Sequence, residues 1–221
     1  MLILLCAIIL LLIVFPFAHN RFPGYVVSME LFFTFLLIAG INVVSHNKKI
    51  VTVAALLALL AFVVVWFDYV LKSHYLLIFG LCLEILFFLI TTVTIISHVL
   101  QYKKVTEDKI YGAICGYLLI GIVWAMLYTV VEIAFPNSFS FSSGLTLYAD
   151  HNSAHRLYFT QFLYYSFVTL STLGYGDIVP VTNEARAFSS LEAIIGQLYV
   201  AVLIARLVGL HISHTHLKNK D

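Results

Sequence analysis

Charge is scarce in this chain: 12 basic and 11 acidic side chains are spread over 221 residues, 10% of the total. A soluble globular domain carries about a quarter. With a formal net charge of +1, the chain offers neither the basic footprint of a nucleic-acid binder nor an acidic field for a cationic partner. Cysteine is nearly absent. Cys6, Cys82 and Cys115 lie far apart inside apolar runs; with no CxxC pair and no disulfide framework, they read as small buried hydrophobes. No HExxH, GxSxG or phosphate-cradling loop occurs, so the chain is not read as an enzyme. Internal repeats, linkers and low-complexity segments are lacking as well. What is present is apolar: 62% of the residues are hydrophobic and the mean hydropathy is +1.02. The expected solvent for most of this surface is lipid.

A hydrocarbon core of about 30 Å takes roughly 20 apolar residues to cross as a helix. Six such runs stand out, at about 1–17, 24–45, 50–71, 75–100, 110–135 and 185–210, the first five joined by short polar breaks and the last two by a long connection. The first lacks the basic leading region of a secretory signal, so it is expected to stay as a helix. With the N-terminus in the cytoplasm, Lys48, Lys49, Lys103, Lys104, Lys109, Lys218 and Lys220 fall inside, and Arg21, Lys72, Arg156 and Arg186 outside. That arrangement follows the positive-inside bias. It puts both termini in the cytoplasm and the long fifth connection, 136–184, outside.

Within that connection, 157–170 (LYFTQFLYYSFVTL) is apolar but only about 14 residues long. It is too short to span and fits a re-entrant half-helix. Non-helical backbone at membrane depth survives only where it is buried in protein or lines water, and the residues that come next are "TLSTLGYGD", 169–177. For successive carbonyls to point toward one axis, alternate residues must take opposite backbone hands. L-residues lose roughly 1–2 kcal/mol in the left-handed form, a cost that Gly174 and Gly176 avoid. Thr172, Leu173, Gly174 and Tyr175 then present a ladder of oxygens, with the Thr172 hydroxyl at its inner end, able to replace the hydration shell of a cation. The C-terminus of the half-helix favours a cation in the cavity below. Tyr175 is expected to turn its ring into the protein near Tyr164 and Tyr165, with Asp177 at the outer mouth.

The nine residues resemble the selectivity filter of the potassium channel family, T-x-x-T-[VIL]-G-Y-G-D, and the resemblance extends over roughly 106–210. It implies an all-α integral membrane protein with six transmembrane helices, a re-entrant pore helix and filter loop between the fifth and sixth, and a tetrameric pore. Residues 1–104 would form a four-helix domain resembling a voltage-sensor domain without basic charges. Residues 105–221 would form the pore domain: outer helix, turret, pore helix, filter, inner helix and a short C-terminal tail. The resemblance makes Thr172, Leu173, Gly174, Tyr175 and Gly176 the ion-binding filter, with K+ held at Thr172, Leu173, Gly174 and Tyr175. Asp177, Tyr165, Thr169 and Ser171 become its supports. Val168 stands where some members have a glutamate. Tyr165 stands where many have a tryptophan bonded to the filter aspartate, so a Tyr165 to Asp177 contact is expected. Gly196 takes the place of the hinge glycine, with close packing against the pore helix as the equal alternative. Gln197, Val200 and Ile204, spaced along one helix face, are expected to line the cavity.

The resemblance to the voltage-gated branch fails at the fourth span. Residues 75–100 hold Glu84 and His98 but no Lys or Arg, so the helix lacks the several charges that steep voltage dependence requires. About eleven residues follow the sixth span, and a cytoplasmic gating domain is not expected. Glu30, Glu84 and Glu192 are intramembrane carboxyl groups, with Glu192 expected to brace the back of the pore helix. Glu132 and Arg186 are open to pairing. His151 with His155 in the turret, and the C-terminal cluster His211, His214 and His216, make weak metal sites, and a solvated face is the favoured reading. The function expected is passive, potassium-selective conduction, independent of voltage, in a plasma or cell inner membrane. No cofactor is expected beyond the permeant K+. The expected partners are membrane lipid and the chain itself as a homotetramer, with no nucleic acid; a gating ligand or auxiliary subunit stays open. The alternatives are a weakly selective cation channel or a cation transporter subunit.

Overall fold

Leucine, isoleucine, valine and alanine fill the long segments, and in lipid such a backbone satisfies its own polar groups only by forming helices. The computed structural model describes residues 1–18, 34–40, 48–71, 73–101, 106–142 and 151–218. Their order is α1 (Leu2–Ala18), a short helical stretch α2 (34–40), α3 (Lys48–Leu71), α4 (His74–Gln101), α5 (Glu107–Ala134), β1 (Phe139–Phe141), α6 (His151–Leu170), β2 (Ile178–Pro180) and α7 (Asn183–Lys218). Four of these helices are long and apolar enough to cross a membrane, over Lys48–Asp68, Tyr75–Leu100, Glu107–Ala134 and Asn183–Arg206. Leu2–Ile13 is a shorter apolar helix. Most of the expected second span, 24–45, lies outside the described residues.

The hub is α5, which packs against α1, α4, α6 and α7, while α3 reaches the rest through α4. Its start is set by Thr106, in extended conformation with φ −122° and ψ 157°; Glu107 and Asp108 in the first turn complement the positive end of the helix dipole. Its end comes at Pro136, which cannot continue a helix. Asn137 then takes a left-handed φ of 67°, tolerable for asparagine. The Glu132 carboxylate holds this turn, accepting the Asn137 N–H at 2.9 Å and the Phe139 N–H at 3.1 Å.

Beyond that turn the chain forms a strand that hydropathy did not announce. β1 pairs antiparallel with β2, with Phe139 opposite Pro180, Ser140 opposite Val179 and Phe141 opposite Ile178. The Val181 N–H donates to the Ser138 carbonyl at 2.8 Å. The chain leaving the TLGYGD stretch is thereby fastened to the end of α5.

Aromatic rings fill the space behind that stretch. Phe139 and Phe162 lie 4.7 Å apart between centroids, Tyr128 and Tyr165 5.1 Å, and Tyr128 and Phe139 5.4 Å. Such edge-to-face pairs each contribute about 0.5–1.5 kcal/mol beyond area burial.

Two boundaries differ from the sequence reading. The half-helix begins at His151 rather than near 157, and the inner helix runs on to Lys218, so the expected short tail is helical. Hydropathy marks where a helix leaves lipid, whereas its end depends on propensity and breakers. Polar segments such as 211–218 contain neither Gly nor Pro. Cys115 is buried as expected, but Cys6 and Cys82 are exposed on their helices. On an apolar helix an outward position is also compatible with lipid, so apolar neighbours in sequence did not imply burial in protein.

Candidate functional site

The site begins where α6 ends. Leu170 is the last helical residue, and the next four N–H groups turn back onto the helix. Those of Ser171, Thr172, Leu173 and Gly174 donate to the carbonyls of Phe167 (3.1 Å), Thr169 (2.9 Å), Val168 (2.9 Å) and Val168 again (3.3 Å). The Ser171 hydroxyl adds a bond to the Phe167 carbonyl at 2.6 Å. The Thr169 carbonyl and the Ser171 N–H and hydroxyl thus take part in the bonds at the inner end of the loop.

From there the backbone alternates in hand. Thr172, Gly174 and Gly176 have φ of 59°, 58° and 78°, while Leu173 and Tyr175 between them are not left-handed. A Cβ added at Gly174 or Gly176 would meet nothing within 4 Å, so these glycines answer to conformation rather than to crowding. Thr172 adopts the left-handed form without that excuse, which the sequence reading did not foresee; it assigned the opposite hand only to the glycines. The strain, roughly 1–2 kcal/mol, is offset locally. The Thr172 hydroxyl donates to the Ser171 carbonyl at 2.7 Å and accepts the Gln197 amide N–H at 3.2 Å.

Because the Thr172, Leu173 and Gly174 N–H groups are committed inward, the carbonyls are what the stretch has to offer. Among the described residues none of the carbonyl oxygens of 172–176 accepts a hydrogen bond. Leu173 and Tyr175 side chains are 55% and 66% exposed. Tyr175 shares a recess with Tyr164, Phe167 and Leu173, so within one chain its ring is not propped against Tyr165.

Asp177 closes the stretch. Its carbonyl accepts the Ser142 N–H at 2.8 Å and the Ser142 hydroxyl at 2.9 Å, and its Oδ1 accepts its neighbour Ile178 N–H at 3.1 Å. The expected Tyr165 to Asp177 bond is replaced by one from the adjacent residue: the Tyr164 hydroxyl donates to Asp177 Oδ2 at 2.7 Å. Successive helical residues point about 100° apart, so only one of the two tyrosines can face the loop. Tyr165 falls on the core face with Phe162. Its hydroxyl lies 2.7 Å from Ser189 Oγ. Since Ser189 gives its single proton to the Ala185 carbonyl, Tyr165 is the donor. The bond to the Asp177 carboxylate pushes the Tyr164 hydroxyl pKa up to about 12.

On α7, Gln197, Val200 and Ile204 are exposed, and their spacing puts them on one face. Gln197 is the member of that face that reaches the loop. Gly196 is a packing position: a Cβ there would sit 2.3 Å from the Leu170 carbonyl oxygen, and α7 runs unbroken through it. Glu192 lies against α6 as expected, bonded to Ser166, and also to Tyr128 on α5. Glu132 and Arg186 do not pair. Glu132 serves the turn after α5, and Arg186 Nε donates to the Pro180 carbonyl at 3.2 Å. Glu84 is buried in α4, Glu30 lies outside the described residues, and no cluster that could hold a metal ion occurs among the described ones. Ser142, Ser189 and Tyr128 are the residues sequence reasoning missed. Tyr164 was expected beside Tyr175, with which it shares a recess, but its bond to Asp177 was not.

Residues 113–211, from α5 through α7, match the family model described as "Ion channel". The chain is also 38% identical over 92 residues to the two pore potassium channel c of Oryza sativa subsp. japonica, over 39% of this chain and 18% of that protein. The match thus spans under a fifth of the relative's length. No solved structure matches. The family model covers under half of this chain.

Proposed function

We propose that four copies of this chain form a potassium-selective channel in which Thr172, Leu173, Gly174 and Tyr175 coordinate dehydrated K+ through their backbone carbonyls. One observation carries the reading: the alternating hand of residues 172–176, with their carbonyls free of hydrogen bonds among the described residues. Free carbonyls at membrane depth are tolerated only against protein or water. One strand lines a single side of an ion, so symmetric repetition about the strand supplies both the missing ligands and the cover. Gln197, Val200 and Ile204 then line the cavity beneath. Asp177, held by Tyr164, stands at the mouth.

The rest of the assignment follows from sequence. The chain crosses the membrane six times, with 1–104 as a surrounding helical domain and 105–221 as the pore, and both ends lie in the cytoplasm of a cell bounded by its plasma or inner membrane. Without Lys or Arg, α4 has no row of basic charges to move with voltage, so conduction is voltage-insensitive. The first helix and α4 both lie against the outer helix of the pore, the contact through which the surrounding domain supports it.

The test is the reversal potential of purified protein in planar bilayers with potassium on one side and sodium on the other. A potential close to the potassium equilibrium value supports the reading. A value near zero identifies a weakly selective cation pore instead.

A further inference from the structure

Glu192 is the most enclosed acidic side chain among the described residues, at 0% exposure. It sits on α7 one turn before Gly196, and its carboxyl group meets two other helices. The Tyr128 hydroxyl of α5 lies 2.5 Å from Oε2, and the Ser166 hydroxyl of α6 lies 2.5 Å from Oε1. Ser166 Oγ is also 2.8 Å from the carbonyl oxygen of Gly121 on α5.

The protons in this group can be counted. A tyrosine hydroxyl and a serine hydroxyl have one each, and a carbonyl has none. If Ser166 gives its proton to Gly121, the Ser166 to Glu192 contact has no proton unless Glu192 supplies it. If instead Ser166 gives its proton to Glu192, its oxygen faces the Gly121 carbonyl across 2.8 Å with no proton between them. That second arrangement also leaves a full carboxylate charge in a site with no water-facing surface. The titratable groups facing Glu192 are Tyr117 and Tyr128 from α5 and Tyr165 from α6. None of them is a cation, and the groups bonded to Glu192 are hydroxyls. An unpaired charge in such a place is far more costly than a neutral acid that satisfies every oxygen.

We propose that Glu192 carries its proton at neutral pH and donates it to Ser166, so that a carboxylic acid joins the inner helix to the pore helix and the outer helix. Tyr128 donates to Oε2, Glu192 donates from Oε1 to Ser166, and Ser166 donates to Gly121. Each oxygen has one partner of the right kind, and the chain of bonds runs from α5 through α7 and α6 back to α5. Glu192 is a positioning residue, acting on the loop only through Ser166, five residues before the loop starts. Removing its proton leaves Ser166 between two acceptors and releases one bond, so alkaline pH loosens the tie behind residues 171–177. The effect on conduction rests on the channel reading, whereas the proton itself does not.

The experiment compares infrared spectra of the wild-type protein and Glu192→Gln in lipid while pH is raised. Glutamine copies the neutral acid, with a carbonyl for Tyr128 and an N–H for Ser166. The expected result is a carboxylic-acid C=O band at neutral pH in the wild type that is missing in Glu192→Gln and fades on alkalinisation. In potassium flux, Glu192→Gln conducts as the wild type does but loses the alkaline response, while Glu192→Leu loses about tenfold or more, the scale of one buried hydrogen-bonding group left unpaired. Identical spectra at neutral pH would overturn the proposal, as would a Glu192→Gln flux as low as that of Glu192→Leu. If Glu192→Leu does not assemble, the spectral comparison decides alone. A wild type that carries no potassium yet shows the band would overturn the channel reading and leave the proton in place.

Discussion

Alanine at Gly196 sets two forces against each other, and the structure says which wins. The added Cβ would lie 2.3 Å from the Leu170 carbonyl oxygen and 3.0 Å from Leu170 Cδ1. Unstrained carbon to oxygen contacts begin at about 3.3 Å, so α7 and the end of α6 must separate by about 1 Å. The obstacle is backbone, which cannot swing aside like a side chain. Overpacking of this kind costs about 1–3 kcal/mol, toward the upper part of that range against a fixed neighbour. Helix propensity returns about 1 kcal/mol when glycine becomes alanine. The net expectation for Gly196→Ala is a loss of about 1–2 kcal/mol, read by SDS titration of the detergent-solubilised protein. Because Leu170 adjoins Ser171, potassium flux should fall with it. A hinge glycine with open space around it gives the opposite sign, a gain of about 1 kcal/mol. Unchanged or increased stability in Gly196→Ala would refute the packing argument.

Three further substitutions have expected outcomes of their own. Tyr164→Phe removes the 2.7 Å bond to Asp177 and should speed the decay of potassium current under sustained conduction; Tyr165→Phe should leave that decay unchanged. With its pKa raised from 10.0 to about 12, Tyr164 contributes fully below pH 10 and its bond is lost only as pH rises through about 12, so the wild-type decay rate should be flat across neutral pH. Glu132→Gln leaves one oxygen to serve two N–H groups and should destabilise the protein by about 1–3 kcal/mol, whereas Arg186→Ala, which breaks no ion pair with Glu132, should not share that loss in the same SDS titration. Gln197→Leu takes away the donor to the Thr172 hydroxyl and should shift the reversal potential under potassium and sodium toward zero; an unmoved potential would mean that Thr172 is held by its own backbone bonds alone.

The loop was legible because its constraint is local. Left-handed backbone at alternate residues demands glycine wherever possible, and two glycines flanking Tyr175 announce it. Thr172 was read as a ligand but not as left-handed, because what permits it is a bond to Gln197, 25 residues away in sequence. Tyr165 was chosen over Tyr164 by analogy of position, whereas the outcome turns on the rotation of α6 against Phe162 and Tyr128, which no single sequence displays. Four membrane-length helices emerged from hydropathy, but the ends at His151 and Lys218 did not, since leaving lipid does not stop a helix. The β1 to β2 pairing was invisible for another reason. Two strands of three residues carry too little alternation to register, and their partnership exists only because α6 folds back between them.

The central claim is that the backbone of residues 172–176 holds potassium, and the most direct measurement is ion flux into liposomes containing purified protein, under a potassium gradient and then a sodium gradient, with Gly174→Ala beside the wild type. At φ 58° an alanine is strained whatever the space around it. The account expects potassium flux well above sodium flux in the wild type and its collapse in Gly174→Ala. Equal fluxes of the two ions, or a Gly174→Ala protein as fast and as selective as the wild type, would contradict it.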